Sequence, residues 1–400
     1  MTHVSRTIDL PRAASTAWDA IVIGAGPAGA LSACLLARAG LNVLLVERKP
    51  FPRPKVCGGC LNAHALAALA RAGLDGRVRA LGATPIHALR LHQRARVATI
   101  DLAPGLAISR QALDAELVSA AIEAGSAFLP ETAALVVPEG DLPWREGWRR
   151  VSLQHRHEHG VFAAARAVLV ADGLAHSSLR ECDSFHSRVS ASARIGVGGV
   201  AGPGTIELQP GSITMAVGRH GYVGAVEIED GRVNVAAAID PGFLKAFAAT
   251  SKAIRSLLAE AGVHAGPGLD TIDWMGTIPL TRHVPRPAAR GVFVLGDAAG
   301  YVEPFTGEGM AWAFAGAEAV VPIVKRAVAS HDARLEQDWI RVHARGIGRE
   351  QRWCRLVARV LRMPALLTPC VLLLRQHPAL ARPLVAHLTP RTPSADGRTA

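Results

Sequence analysis

Gly24-Ala25-Gly26-Pro27-Ala28-Gly29 is followed, 23 positions after its first glycine, by Glu47. Residues of these types at this spacing can hold a dinucleotide. Gly24 permits a tight turn, Gly26 lets the backbone approach a pyrophosphate, and Gly29 lets a helix pack closely on a strand. Pro27 and Ala28 would open that helix, whose free N–H groups and dipole favour anions. Glu47, with Arg48 beside it, stands where a carboxylate accepts ribose hydroxyls. Gly196-Val197-Gly198-Gly199-Val200-Ala201 has the same glycine spacing, but Gly202-Pro203-Gly204 occupies the place of the helix. That second segment is expected to be a loop or strand edge, leaving one dedicated dinucleotide site.

Cys57-Gly58-Gly59-Cys60 offers other chemistry: a dithiol, half a zinc site, or a close backbone approach with a thiol facing substrate. Zinc would need two more ligands, and no second pair of convincing spacing exists. His155, His157 and His159 fall in a charged, turn-rich stretch read as a hairpin end. No metal is expected.

Elements must position these residues. AIVIG (20–24) reads as a strand buried on both faces, ALSACLLARAG as a helix stopping at Gly40, and LNVLLVE (41–47) as a second buried strand. The uncharged run 20–37 is long enough to span a bilayer, but its glycines split it into strand and helix. Residues 291–321 repeat the theme: an apolar strand, Gly296-Asp297, a loop with Pro304, Gly307 and Gly309, then a small-residue helix starting near Glu308 and including Met310. Residues 186–240 alternate in short strand-like runs with a hairpin signal at Glu229-Asp230-Gly231. The expected fold is α/β: a Rossmann-like domain in three pieces (1–79, 104–183, 281–330), interleaved with an antiparallel sheet (80–103, 184–280) and followed by basic helices (331–400).

A late strand-Gly-Asp-loop-helix behind an N-terminal glycine motif is the layout of FAD proteins. The segment resembles the Gly-Asp motif of the para-hydroxybenzoate hydroxylase-like superfamily, which holds flavin monooxygenases, halogenases and geranylgeranyl reductases. The resemblance implies that Asp297 binds the ribityl hydroxyls, that the turn from Pro304 to Gly309 lies along the isoalloxazine, and that the following helix stabilises anionic reduced flavin. VLVADGLAHSSLR (168–180) is similar to the superfamily's Asp-Gly motif, implying FAD contact at Asp172 and Gly173. The usual arginine is replaced by Arg180 at a longer offset. ISRQALDAEL (108–117) resembles the Arg-x-x-Leu-Asp helix start, which would bring Arg110 to the FAD, although Ser109 could cap a helix with Arg110 solvated. FPRPKVCGGCLN (51–62) is similar to a stretch beside the flavin of geranylgeranyl reductases, implying that Arg53, Lys55, Cys57, Gly58 and Gly59 line the substrate side.

Where reductase and halogenase relatives carry an aromatic platform, this chain keeps Gly221-Tyr222 and loses the tryptophan and Phe-Pro. The resemblance therefore implies an NAD(P)H-dependent monooxygenase that hydroxylates or epoxidises a hydrophobic aromatic or polyketide-type molecule through a flavin C4a-hydroperoxide. Reduction of isoprenoid double bonds is the alternative, and a membrane-peripheral, non-catalytic FAD protein the third. Cys57, Tyr222, His220 and Glu227 are the candidates to orient substrate or move a proton.

Composition narrows the partners. Only 4% of the 400 residues are aromatic, which disfavours a base-stacking surface and hence nucleic acid. Six scattered cysteines fit a reducing cytoplasm. Of the net charge of +11, +9 lies in residues 325–400. Arginines at 341, 345, 349, 352, 355, 359 and 362 recur at helical spacing. Such a stripe is expected to pack on the FAD domain or, alternatively, to rest on an anionic membrane; the last residues, 389–400, are expected to fray.

Overall fold

The computed structural model describes residues 4–138, 147–156, 158–303, 307–330, 332, 334–382 and 385. His157, Pro304 and the 389–400 tail lie outside the described residues.

The uncharged run near the N-terminus divides at Gly24. Strand Ala17–Ile23 enters the turn and helix Pro27–Arg38 leaves it, with Gly26 as N-cap and proline in the first helical turn. The strand is central in a sheet ordered Ala288–Ala289, Val292–Val294, Val161–Val170, Ala17–Ile23, Val43–Val46, Ala127–Leu129. Its neighbours Val43–Val46 and Val161–Val170 both run parallel to it. Strands enclosed on two faces need continuous apolar runs, and Ala20–Val22 are fully buried. Helices Pro27–Arg38, Arg110–Glu123 and Glu308–Ala329 cover one face of this sheet. The stretch read as a hairpin end (144–160) includes the link between antiparallel strands Arg149–His155 and Val161–Val170.

A second sheet has the order Met275–Pro279, Ile195–Ala201, Val233–Ile239, Gly221–Glu227, Ser212–Gly218, Thr84–Gln93, Arg96–Ala107, Cys60–Leu61. It is antiparallel except where Ser212–Gly218 runs parallel to Thr84–Gln93. Strand Arg96–Ala107 continues past the expected boundary at 103. The second glycine-rich segment is an interior strand of this sheet, neither a loop nor an edge. A Cβ on Gly199 would lie 2.3 Å from Ile272 Cγ2, so that glycine serves close packing. Period-two alternation splits the sheet's faces: Val223, Ala225, Val235 and Ala237 pack on helix Thr250–Ala261, while Tyr222, Val226 and Ala238 belong to the opposite core.

The arginine-rich tail forms helices Arg334–Arg345, Ile347–Leu361 and Pro364–Gln376 rather than one stripe. The first joins the FAD-side core through Leu335 and Trp339, with Trp339 Nε1 donating to the Val294 carbonyl at 3.2 Å, and the second packs Ile347 and Cys354 against Val302 and Trp312. Helix Pro364–Gln376 instead covers the second sheet, where Leu367 and Val371 meet Leu89, Leu91 and Ile100. Of the tail helices expected to pack on the FAD domain, this last one departs, because the second sheet also has an apolar face to bury.

Candidate functional site

The two sheets enclose a cavity of about 690 Å3, reached by the glycine motif, the 51–60 loop, Arg110, the Asp-Gly turn and the Gly-Asp turn. At its nucleotide end Gly24 adopts φ +102°, and a Cβ there would lie 2.4 Å from the Ala171 carbonyl oxygen. A Cβ on Gly29 would lie 1.9 Å from the Gly24 carbonyl oxygen, so helix and turn meet with no room for a side chain. Gly26 differs: its open side faces Arg110 and Arg53, whose guanidinium nitrogens stand 3.4 and 3.9 Å from such a Cβ. Bare backbone at a helix N-terminus, flanked by two arginines, is a fitting seat for a pyrophosphate.

The carboxylates here are anchored. Glu47 accepts from Ala25 N–H and Lys49 N–H, each at 3.0 Å, and pairs with Arg53 at 3.0 Å. Burial alone would raise its pKa; the Arg53 guanidinium and these hydrogen bonds outweigh burial and hold the carboxyl below its ordinary value. Asp114, fully buried, takes Arg110 bidentately at 2.8 Å and Arg53 at 3.2 Å. Ser109 caps the Arg110 helix, as one sequence reading had it, yet the Arg110 side chain is held by Asp114 and only 10% exposed rather than solvated. Arg53, expected on the substrate side, pairs with Glu47 and Asp114 beside the glycine motif.

The Gly-Asp turn meets the glycine motif directly, since a Cβ on Gly296 would lie 3.0 Å from the Ala28 Cβ. Asp297 lines the cavity, its pKa raised by burial against the opposing pull of Lys55 and Arg110. Lys55 reaches the same junction, with Nζ 3.5 Å from where a Gly173 Cβ would stand. Desolvation and Arg110 lower its pKa, against Asp297. Helix Glu308–Ala329 begins as expected, capped by Gly307 at φ +83°, where a Cβ would lie 2.8 Å from the Cys60 carbonyl oxygen. Gly307, Gly309, Met310 and Ala313 present its first turns to the cavity. Asp172 and Gly173 line the cavity too, and the Asp172 carboxylate accepts from Ser178 N–H at 2.8 Å, capping the short helix Ser177–Leu179. Arg48, Gly58 and Gly59 are also in the wall.

The substrate end is built from small residues. On neighbouring strands Gly224 pairs with Ala236, which pairs in turn with Gly198; Tyr222 pairs with Ala238, which pairs with Gly196. Ile213, Met215, Val226 and Leu280 wall this floor, and Cys57, Tyr222 and Tyr301 bring the protic groups. Burial raises the pKa of both phenols, so they stay protonated at neutral pH. Cys57 and Cys60 are unbridged; the Cys57 carbonyl accepts from Asn234 Nδ2 at 2.9 Å, and the buried Cys60 thiol is pushed up by desolvation. Among the described residues no cluster of His, Cys, Asp or Glu could hold a metal.

Two candidates leave the site. His220 sits in the turn between strands Ser212–Gly218 and Gly221–Glu227, stacked on Phe243 with ring centroids 4.8 Å apart. Glu227 shares the odd-numbered face of its strand with Val223, which packs on helix Thr250–Ala261, and is exposed. Neither lines the cavity. Sequence reasoning missed Asp114, Tyr301 and the buried Arg194, which pairs with Asp240 at 3.0 Å and Glu303 at 3.3 Å and lies 5.9 Å from the Tyr222 ring centroid. The Arg110–Asp114 spacing of four was the available signal for the first; for Arg194 there was none.

Taken together, a Rossmann-type anion cradle, a Gly-Asp turn against it and a second sheet roofing one cavity define a flavin-nucleotide oxidoreductase. Residues 17–138 match the family model of the FAD binding domain. A digeranylgeranylglycerophospholipid reductase of Methanopyrus kandleri is 28% identical over 73% of this chain and 73% of its own length. Another from Methanothermobacter thermautotrophicus is 29% identical over 86% and 85%. The menaquinone reductase of Mycolicibacterium smegmatis is 46% identical over 69 residues, 16% of this chain and 17% of that protein. Among solved structures, a flavoprotein/dehydrogenase from Cytophaga hutchinsonii superposes with TM-score 0.77 at 16% identity, covering 92% of both chains. A flavin-dependent brominase gives 0.76 at 19% identity over 93% of both. The chain carries an FAD binding domain over residues 17–138 and shares the fold of para-hydroxybenzoate hydroxylase-like flavoproteins.

Proposed function

We propose that this oxidoreductase reduces carbon–carbon double bonds of an apolar, isoprenoid-type substrate, with NAD(P)H as electron source. The observation that carries the reading is the floor of Gly196, Gly224, Ala236 and Ala238, small residues that line the cavity beside the Gly-Asp turn and Cys57. Relatives named as reductases of geranylgeranyl lipids, matched along most of this chain, support it.

Bound FAD supplies the hydride. This chain's residues do the rest. The backbone around Gly26, with Arg53 and Arg110, would neutralise the pyrophosphate, and Asp297 would fix the ribityl chain. The alkyl walls exclude water from the substrate end. Tyr222 and Tyr301, kept protonated, act there as hydrogen-bond donors rather than bases, and Cys57 is the third protic group in reach of the floor. In balance, saturating the double bond would take one hydride, supplied by reduced FAD, and one proton.

The same room would accept a phenolic or polyketide-type ring for hydroxylation or epoxidation, the reading the sequence resemblance implies. One measurement separates the two. Protein reduced under argon and mixed with a geranylgeranyl-type lipid should return oxidised flavin and a product richer by two hydrogens per double bond. Product that forms only in air and carries label from isotopic dioxygen would replace reduction by oxygenation. Absence of turnover with NADH, NADPH or a chemical reductant would leave a binding role.

A further inference from the structure

Residues 363–374, MPALLTPCVLLL, contain no charged side chain. In helix Pro364–Gln376, Leu367 and Val371 are buried against the second sheet. Leu366, Cys370 and Leu373 recur four and three positions apart on the opposite side, all exposed, with Leu373 49% accessible. Leu356, before this helix, and Leu380, beyond it, are 49% and 53% accessible. Monomeric proteins rarely show apolar surface so concentrated.

Charge supplies the second observation. From residue 351 to residue 395 the chain has six arginines up to position 382 and no Asp or Glu. Arg352, Arg359, Arg375 and Arg382 are exposed around the leucines. The helix is 13 residues, roughly 20 Å at 1.5 Å per residue, and so is far shorter than the ~30 Å of a bilayer core. Among the described residues no single helix is long and apolar enough to cross a membrane. A short apolar face rimmed by arginines suits the interfacial plane, where leucines enter the acyl boundary and arginines reach phosphates. Two copies of this chain meeting through the same face would oppose one cationic rim to another.

We propose that the outward face of helices Ile347–Leu361 and Pro364–Gln376 docks on an anionic membrane surface. The docking does not depend on which reaction the cavity performs. The patch is fixed to the body, because Arg362 pairs with Glu303 at 3.1 Å and donates to the Ser192 carbonyl at 2.6 Å.

The test is flotation of the full-length holoprotein with vesicles of phosphatidylcholine, with and without phosphatidylglycerol. The protein should float with the anionic vesicles, less at high salt, and hardly with phosphatidylcholine alone. Leu366→Glu with Leu373→Glu, at exposed positions, should lower the partition by about tenfold or more, with circular dichroism and flavin absorbance unchanged. Arg352→Glu with Arg359→Glu should remove the dependence on lipid charge. Wild-type protein that ignores anionic vesicles, or a leucine variant that floats equally well, would overturn the proposal. So would a wild-type dimer that the leucine variant converts to monomer without any vesicle binding, since the face would then belong to a second copy.

Discussion

The two ends of the cavity are built on opposite principles. At the nucleotide end, backbone shape and paired charge set the geometry: glycines that tolerate no Cβ, and three carboxylates facing Arg53, Lys55 and Arg110. At the substrate end the floor itself is uncharged, and its shape comes from the smallness of Gly196, Gly224, Ala236 and Ala238. The first arrangement recognises one ligand closely; the second excludes water and sets a size limit. Cofactor identity therefore follows from particular residues, whereas substrate identity follows from volume.

The sharpest way to break this contrast is Asp114→Ala. It leaves Arg53 and Arg110, each little exposed, without their shared carboxylate, and loss of one partner of a buried ion network costs about 3–5 kcal/mol. Urea unfolding should show that loss together with flavin release; a change under about 1 kcal/mol would mean that water already compensates these charges. Ala236→Phe probes the other end. It should keep stoichiometric flavin yet reduce kcat/KM by about 10–100-fold, or roughly 1.4–2.8 kcal/mol, and loss of flavin instead would show that the two ends are not separable.

Acid should act on the nucleotide end alone. Glu47 is held below its ordinary pKa, so its stabilising contribution is present above the unfolded value of about 4.3 and is lost as pH falls through the folded one. Glu47→Gln should flatten that part of a stability-versus-pH profile, and an unchanged profile would remove Glu47 from the account. The smallest effect is expected at His220→Ala and Glu227→Gln, outside the cavity: within about 0.5 kcal/mol in stability, with turnover intact. A substantial loss of turnover in either would reopen the question of which sheet face meets substrate.

How much was legible in the sequence divides along the same line. Gly24, Gly26, Gly29 and the Gly-Asp turn could be read because backbone conformation restricts residue type, and a strand-turn-helix context confirms the restriction. The Glu229-Asp230-Gly231 hairpin was equally readable, with Asp230 at φ +66° and Gly231 at φ +69°. Strand alternation decides against Glu227 and for Tyr222, but only once the buried face is known, since a shift of one residue exchanges the faces. The glycine-rich strand Ile195–Ala201 looked like a failed nucleotide motif; its small residues answer to neighbours distant in sequence, Ile272 and Thr277 among them. The pull of Asp114 on Arg53 was illegible for the same reason, because Asp114 lies 61 residues away.

Arg362, half-buried, and the buried Glu303 and Arg194 form a relay from the end of a tail helix to the Tyr222 ring. A shortened protein ending before position 362 would strip one cation from Glu303, four residues ahead of Gly307. Deleting the tail to study surface attachment would then perturb catalysis as well, and the two losses would look like a single phenotype. Point substitutions on the outer leucines keep the questions apart.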